Sequence, residues 1–164
     1  MAQTVANELP EQEEDTQKGK FLTFSMGNES YGIEIRYVTE IIGIQPVTEV
    51  PELPEYVRGI INLRGKIIPV MDVRLRFKKP FREYNDRTCI VVIDTGDVSI
   101  GLIVDSVSEV LSIKDEEIVP PPDINREKHK YIRGIGKVGG EVKLLLDCEK
   151  LLSDDELECL GNMG

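Results

Sequence analysis

The chain has 164 residues, a length typical of one domain that buries about two-thirds of the surface its unfolded form exposes. Its 20 lysine and arginine residues against 30 aspartate and glutamate residues give a net charge of −10, which excludes a general affinity for nucleic acid or anionic membranes. Because there is no signal peptide and no apolar run near the roughly 20 residues of a membrane span, we expect a cytoplasmic protein that does not insert into a membrane.

The predicted elements begin after an acidic segment. Residues 1–18 carry many carboxylates and few large apolar side chains, so this segment is predicted to be a disordered tail. Residues 19–152 follow as a mainly β region of short runs separated by glycine and proline turns, with one helical turn in "MDVRLRF". Residues 153–164 are predicted to form a short C-terminal helix and tail, because Ser153 and Glu156 have capping-box spacing. The strand runs, in order, are "FLTFSM", "YGIEI", "KIIPVMDV", "CIVVID", "SIGLIVDSV" and "VKLLLD".

The β region repeats itself. Segment 56–75 aligns with 131–150 at an offset of 75, and segment 31–42 aligns with 100–111 at an offset of 69. The first alignment gives six identities, Tyr56/Tyr131, Arg58/Arg133, Gly59/Gly134, Ile60/Ile135, Gly65/Gly140 and Asp72/Asp147. Repeat units of about 21–87 and 88–152 therefore predict two five-stranded SH3-like barrels, related by a pseudo-twofold and sharing a hydrophobic core.

The repeat also distinguishes arginines that recur in both units from arginines that occur in one unit only. Arg58 recurs as Arg133, which favours a structural role. Arg64 and Asn62 are replaced by Gly139 and Lys137 in the second unit. Because Arg64 precedes a glycine in a turn that can direct its guanidinium outward, we expect it to serve recognition.

No motif indicates an enzyme, a metal site or a cofactor. "GIGKVG" is followed by a strand where a dinucleotide site needs a helix, and "DTGD" is a hairpin turn. His129, the only histidine, lies in a polar loop without a nearby nucleophile. Cys89 is predicted to open a strand and Cys148 to close one, without a base beside either thiol. Glu40 and Glu109 are the candidates for a carboxylate pair, which sequence cannot place across a cleft.

Apolar residues that two small barrels leave uncovered favour a binding module. Ile35, Val38, Ile41 and Ile42 lie beside Glu40, and a groove between neighbouring barrels can bind a helix or a partner sheet.

The sequence resembles the CheW family of bacterial chemotaxis adaptors. The resemblance rests on "GIINLRGKIIPVMDVRLRF", "YGIEIRYVTEII", "IGLIVDSVSEVLSI" and "YIRGIG", in order and over about residues 20–152. It implies a free-standing, non-catalytic adaptor that couples the cytoplasmic tips of chemoreceptors to the regulatory domain of the histidine kinase CheA. It also implies recruitment to membrane-associated arrays, and other CheW-like domains are candidate partners in rings.

The same resemblance assigns two surfaces. Its receptor-binding residues are Glu40, Gly59, Asn62, Arg64 and Val107, and its kinase-binding residues are Leu22, Ile35, Val38 and Ile41. Val38 lies close to both surfaces. Within the receptor surface, Glu40 is the expected near partner of Arg64.

Two other hypotheses stay open at this point. One is a small enzyme that uses a cysteine or a carboxylate pair in the groove between the barrels. The other is a structural component of arrays that binds only other adaptors and shares the fold and most of the surfaces.

Overall fold

A computed structural model describes residues 18–96, 98–121 and 131–152. Eleven strands and two short helices dominate these residues, together with 3₁₀ turns at Ile35–Tyr37 and Asp115–Glu117. The strands are β1 (Lys20–Met26), β2 (Glu29–Glu34), β3 (Val38–Gly43), β4 (Val57–Leu63), β5 (Lys66–Asp72), β6 (Cys89–Asp94), β7 (Ser99–Val104), β8 (Ser106–Ser112), β9 (Ile118–Val119), β10 (Ile132–Val138) and β11 (Glu141–Leu146), and the helices are α1 (Val73–Arg76) and α2 (Cys148–Leu152).

The two halves of the chain exchange hairpins between two sheets. The six-stranded sheet has the order β8-β1-β2-β11-β10-β9, and the five-stranded sheet has the order β3-β6-β7-β5-β4. The β1–β2 hairpin thus sits among strands of the second half, and the β6–β7 hairpin sits among strands of the first. The two parallel pairings, β2 with β11 and β5 with β7, occur at equivalent positions. The predicted pseudo-twofold is therefore visible in the strand order.

Both sheets close into barrels in the same way. In the five-stranded sheet, Thr48 follows β3 along the chain and exchanges two backbone hydrogen bonds of 2.9 Å with Ile60 on β4. In the six-stranded sheet, the two-residue strand β9 follows β8 and pairs with β10. The predicted architecture of two SH3-like barrels is confirmed, and β9 is the additional strand that closes the second barrel.

One apolar core joins the barrels. Its main cluster contains Leu22 and Phe24 from β1 together with Met71 from β5 and Val91 from β6, so residues from both sheets pack against one another. Burial of this shared surface stabilises each barrel more than its own small interior could.

The repeated tyrosine and aspartate residues have a common structural task. The amide of Asp72 donates to the carbonyl of Tyr56 at 2.7 Å, and the amide of Asp147 donates to the carbonyl of Tyr131 at 2.7 Å. The Asp72 carboxylate also accepts from the Arg74 amide at 2.9 Å, as Asp147 accepts from the Lys150 amide at 3.0 Å. Each aspartate therefore caps the helix that follows the last strand of its repeat unit.

These caps confirm one prediction and correct another. The helical turn expected in "MDVRLRF" is α1. Cys89 opens β6, as expected, but Cys148 begins α2 and does not close a strand, because the Asp147 cap turns the chain there. Residues 1–17 of the expected tail, the expected helix at 153–164, and His129 and Cys159 lie outside the described residues.

Candidate functional site: one corner of the first barrel

The β4–β5 turn presents Arg64 to solvent. Arg64 and Gly65 form the two-residue loop, and both have positive φ, at 51° and 87°, as in a type I′ hairpin turn. Asn62 braces the loop, because its Oδ1 accepts a hydrogen bond of 2.8 Å from the Gly65 amide. This backbone geometry projects the Arg64 side chain, which is 72% exposed.

Glu40 on β3 pairs with Arg64, as the sequence predicted. A guanidinium nitrogen of Arg64 contacts Glu40 Oε2, and the Glu40 side chain is 26% exposed. Its other oxygen, Oε1, is buried and has no hydrogen-bond partner among the described residues. The corner therefore combines an outward cation with a carboxylate that holds it in place.

Gly59 supports this corner through the backbone. Its φ is 145°, and an added Cβ would lie 2.0 Å from the carbonyl oxygen of Thr48. Gly59 is therefore required where the Thr48 segment closes the barrel against β4. It is buried, so its predicted contribution to binding can only be indirect.

The four predicted apolar residues occupy different environments. Ile41 is 43% exposed on β3, whereas Ile35 and Val38 are partly buried and pack against the shared core. Leu22 is only 1% exposed and lies within that core. The Leu22 side chain therefore offers almost no contact area, so its predicted contribution to kinase binding can only be indirect. Ile42 packs against a second apolar cluster inside the first barrel.

Val107 lies on the other sheet. It belongs to β8, pairs with Phe24 on β1 and is partly buried against the shared core. Hydrogen bonds and an ion pair bring Glu40, Asn62 and Arg64 to one corner of the five-stranded sheet, whereas Val107 belongs to a strand of the six-stranded sheet.

Exposed apolar residues also recur at equivalent positions of the two barrels, which the sequence analysis missed. Val110 is 49% exposed and corresponds to Ile41, and Val142 is 53% exposed and corresponds to Ile67, itself 48% exposed. The repeat alignment contained these pairs at offsets of 69 and 75. Exposure was the missing information, because a sequence repeat does not say which face of a strand is covered.

The recurring arginines Arg58 and Arg133 both contact aromatic rings. The guanidinium of Arg58 lies 4.9 Å from the ring centroid of Phe81, and that of Arg133 lies 6.0 Å from the ring centroid of Phe21. This aromatic stacking agrees with the structural role expected for the recurring arginine.

Arg74 forms a two-pronged ion pair with Asp105, on the connection between β7 and β8. Arg74 Nε donates to Oδ1 at 2.9 Å and Nη2 donates to Oδ2 at 2.9 Å. Burial alone would raise the pKa of Asp105, but these bonds, the Gly27 amide and the arginine charges outweigh it and hold the pKa below its ordinary value. Arg74 therefore ties α1 to a strand connection of the other half of the chain.

The groups that an enzyme would need are poorly placed for catalysis. Burial, the largest influence, raises the pKa of the Cys148 thiol to about 12, so this side chain is a poor nucleophile. Glu40 is paired with Arg64, while Glu109 lies exposed on β8 of the other sheet. Within the described ranges, no cluster of three or more histidine, cysteine, aspartate or glutamate residues could hold a metal ion. No helix in that part of the chain is long and apolar enough to cross a membrane.

Comparison with known proteins places this chain in a family. The CheW-like domain family matches residues 20–156. A chemotaxis protein CheW from Klebsiella aerogenes is 38% identical over 146 residues, which cover 88% of each chain. Another from Treponema pallidum is 35% identical over 149 residues, again 88% of each chain.

A solved structure shows the same fold. The scaffolding protein TtCheW from Thermoanaerobacter tengcongensis superposes with a TM-score of 0.78 at 35% sequence identity, covering 85% of this chain and 96% of that one. The family match, the relatives and the shared architecture all extend over most of the chain. The chain therefore belongs to the CheW-like family of chemotaxis scaffold proteins.

Proposed function

We propose that this chain is a non-catalytic adaptor that couples transmembrane chemoreceptors to the histidine kinase CheA in signalling arrays. It acts in the cytoplasm and is recruited to the membrane through the receptors. Family membership supports the adaptor role, since relatives carry the name chemotaxis protein and a solved relative is called a scaffolding protein. The observation that carries the proposal is the corner at which the Glu40–Arg64 pair and the exposed Ile41 share strand β3 and its neighbouring turn.

The polar side of this corner is the receptor surface. Arg64 donates to a carboxylate or a helix-end carbonyl of the receptor tip, and Glu40 holds the guanidinium in place. Oε1 of Glu40 is buried, so Glu40 contributes to this surface by orienting Arg64 and not by contacting the receptor through that oxygen. Asn62 and Gly59 fix the turn and strand, and Val107 adds apolar contact from the second barrel.

The apolar side is the kinase surface. The side chains alternate along β3, so Ile41 is exposed on the face opposite to Glu40. Ile35 and Val38 contribute the margin of this surface, and Leu22 supports it from the core. Contacts with other CheW-like domains in rings belong to the same adaptor role.

Two titrations test the division between surfaces. Arg64→Ala removes a partly desolvated charge partner, so its affinity for a receptor tip fragment should fall by roughly 2 kcal/mol or more, with little change for the CheA regulatory domain. Ile41→Glu places a charge in the apolar contact and should show the opposite pattern. Val142→Glu is the matched control, because it introduces the same charge at a similarly exposed site on the other barrel. Equal losses for both partners in either variant would contradict the division.

A further inference from the structure

A basic segment stands out in this acidic chain. The segment 74–87, which comprises most of α1 and the connection that follows it toward β6, carries six basic residues (Arg74, Arg76, Lys78, Lys79, Arg82 and Arg87) against two acidic residues (Glu83 and Asp86), a net charge of +4. The whole chain has a net charge of −10. Positive charge is therefore concentrated at one place, which none of the proposed receptor or kinase contacts uses.

Part of this segment forms the wall of a polar cleft with a volume of about 210 Å³. Arg82 and Arg87 line the cleft together with Arg74, and the carboxylates of Asp72 and Asp105 lie in the same wall. Ser25 borders it from β1, Gly27 from the turn after β1, and Ser106 from β8. The 83–88 stretch, with Glu83 and Tyr84, completes it.

Internal donors already satisfy the two aspartates of the cleft. Asp72 accepts from the Arg74 and Leu75 amides on Oδ1 and from the Tyr84 hydroxyl on Oδ2 at 2.7 Å. Asp105 accepts from both prongs of Arg74 and from the Gly27 amide at 2.8 Å. These carboxylates therefore have little remaining capacity for the other arginines of the wall.

Arg82 and Arg87 retain donors that no internal group uses. Arg82 makes a single bond of 3.3 Å to Asp105 Oδ2, an oxygen that already accepts two shorter bonds, and its side chain is 56% exposed. The side chain of Arg87 has no hydrogen-bond or ion-pair partner among the described residues, and the exposed Lys78 has none there either. The cleft lining carries three arginines (Arg74, Arg82 and Arg87) against three carboxylates (Asp72, Glu83 and Asp105), a formal charge of zero. Its capacity for a ligand therefore lies in the unused donors of Arg82 and Arg87 and not in a net positive charge.

An exposed aromatic ring adjoins these cations. Phe81 is 48% exposed, with Arg58 stacked on its ring and the ring of Tyr84 edge-on at 5.5 Å. Arginine and aromatic side chains in this combination are typical of the residues that contribute most to protein interfaces. A small inorganic anion would use the arginines but not the ring, which favours a polypeptide as the occupant.

We propose that the 74–87 segment is a further interaction surface, which binds a carboxylate-rich segment of a partner polypeptide. Arg82 and Arg87 form charge-assisted hydrogen bonds with its carboxylates, and Phe81 packs against its backbone and aliphatic carbons. Lys78 adds long-range attraction. This surface is separate from the Glu40–Arg64 corner, so it does not depend on the proposed receptor and kinase contacts.

The test uses the full chain and a defined probe. A ten-residue peptide of alternating glycine and glutamate is titrated into ¹⁵N-labelled protein at low salt, with the matching glycine–glutamine peptide as the neutral control. We expect saturable shifts of the amides around 82–88, 25–27 and 105–106, and none with the neutral peptide. The Arg82→Ser/Arg87→Ser variant should bind the acidic peptide about tenfold more weakly.

A matched variant separates a specific surface from general electrostatics. Lys114→Ser/Lys137→Ser removes the same two charges at exposed positions outside the cleft and should change the affinity less than twofold. Absence of binding, equal weakening in both double variants or shifts spread over the whole surface would overturn the proposal. Binding that appears only after deletion of residues 1–17 would also overturn it, because the chain's own acidic segment would then be the occupant.

Discussion

Arg74→Met should destabilise the protein far more than removal of the exposed Arg64 guanidinium. Methionine retains much of the aliphatic length but leaves the Asp105 carboxylate without its two-pronged partner. The side chains of the pair are only 14% and 17% exposed. Loss of one member of a buried pair costs about 3–5 kcal/mol, and because Arg82 and the Gly27 amide still contact Asp105, we expect about 2–3 kcal/mol.

Urea and thermal unfolding measure this effect. For a chain of this length the loss corresponds to a decrease of roughly 5–10 °C in Tm. Arg64→Ala is the control and should cost less than about 1 kcal/mol, since its side chain is 72% exposed. If the unfolding free energy of the Arg74→Met variant lies within about 0.5 kcal/mol of the wild-type value, the ion pair does not stabilise the contact between α1 and the β7–β8 connection.

The same pair predicts a pH dependence. The pKa of Asp105 is lower in the folded protein than in the unfolded chain, so its contribution to stability is present above the ordinary carboxyl pKa. This contribution is lost as the pH falls through the lower pKa that Asp105 has in the folded protein. The difference in unfolding free energy between wild type and Arg74→Met should therefore shrink on acidification below about pH 4. A difference that stays constant down to pH 3 would refute this linkage.

Three further predictions concern the scaffold around the candidate site. Gly59→Ala forces a Cβ against the Thr48 carbonyl and should cost more than about 2 kcal/mol in a urea titration, whereas Gly65→Ala, with open space around it, should cost about 1 kcal/mol for its positive φ alone. Because Leu22 is a core residue, Leu22→Ala should lower the unfolding free energy by about 2–5 kcal/mol, while Ile41→Ala should change it by less than about 0.5 kcal/mol. Similar losses in the two variants would contradict the assigned environments. In the native protein, iodoacetamide at pH 8 should modify Cys89 before Cys148, as read by peptide mass spectrometry, because Cys148 is buried with a raised pKa; the reverse order would count against that burial.

The repeat made the fold predictable but not the hairpin exchange. Tyr56 and Tyr131 occupy equivalent positions, as the alignment implied, and the backbone carbonyl of each accepts a hydrogen bond from the amide of the aspartate at the end of its repeat unit's last hairpin. An alignment of two units says which residues are equivalent, not which unit supplies each neighbouring strand. The pairings of β2 with β11 and β5 with β7 therefore needed the structure.

The candidate site was predictable where the chemistry was local. Arg64 precedes a glycine in a two-residue turn, and this pattern indicated an outward guanidinium. The burial of Leu22 was missed because β1 is covered on both faces, with four buried residues in succession. The Arg74–Asp105 pair joins residues 31 positions apart in different halves of the chain, a contact that depends on tertiary packing.

The central claim is that this chain couples receptor to kinase. Phosphorylation of CheA, reconstituted with membrane-anchored receptor cytoplasmic fragments, tests it most directly when the chain is added or omitted. We predict that receptor-dependent kinase activity is lost when the chain is omitted. Addition of the Val142→Glu variant should restore it to the wild-type level, whereas addition of Arg64→Ala or Ile41→Glu should not. Full receptor control of the kinase in the absence of the chain would contradict the account. Full control with both Arg64→Ala and Ile41→Glu would also contradict it.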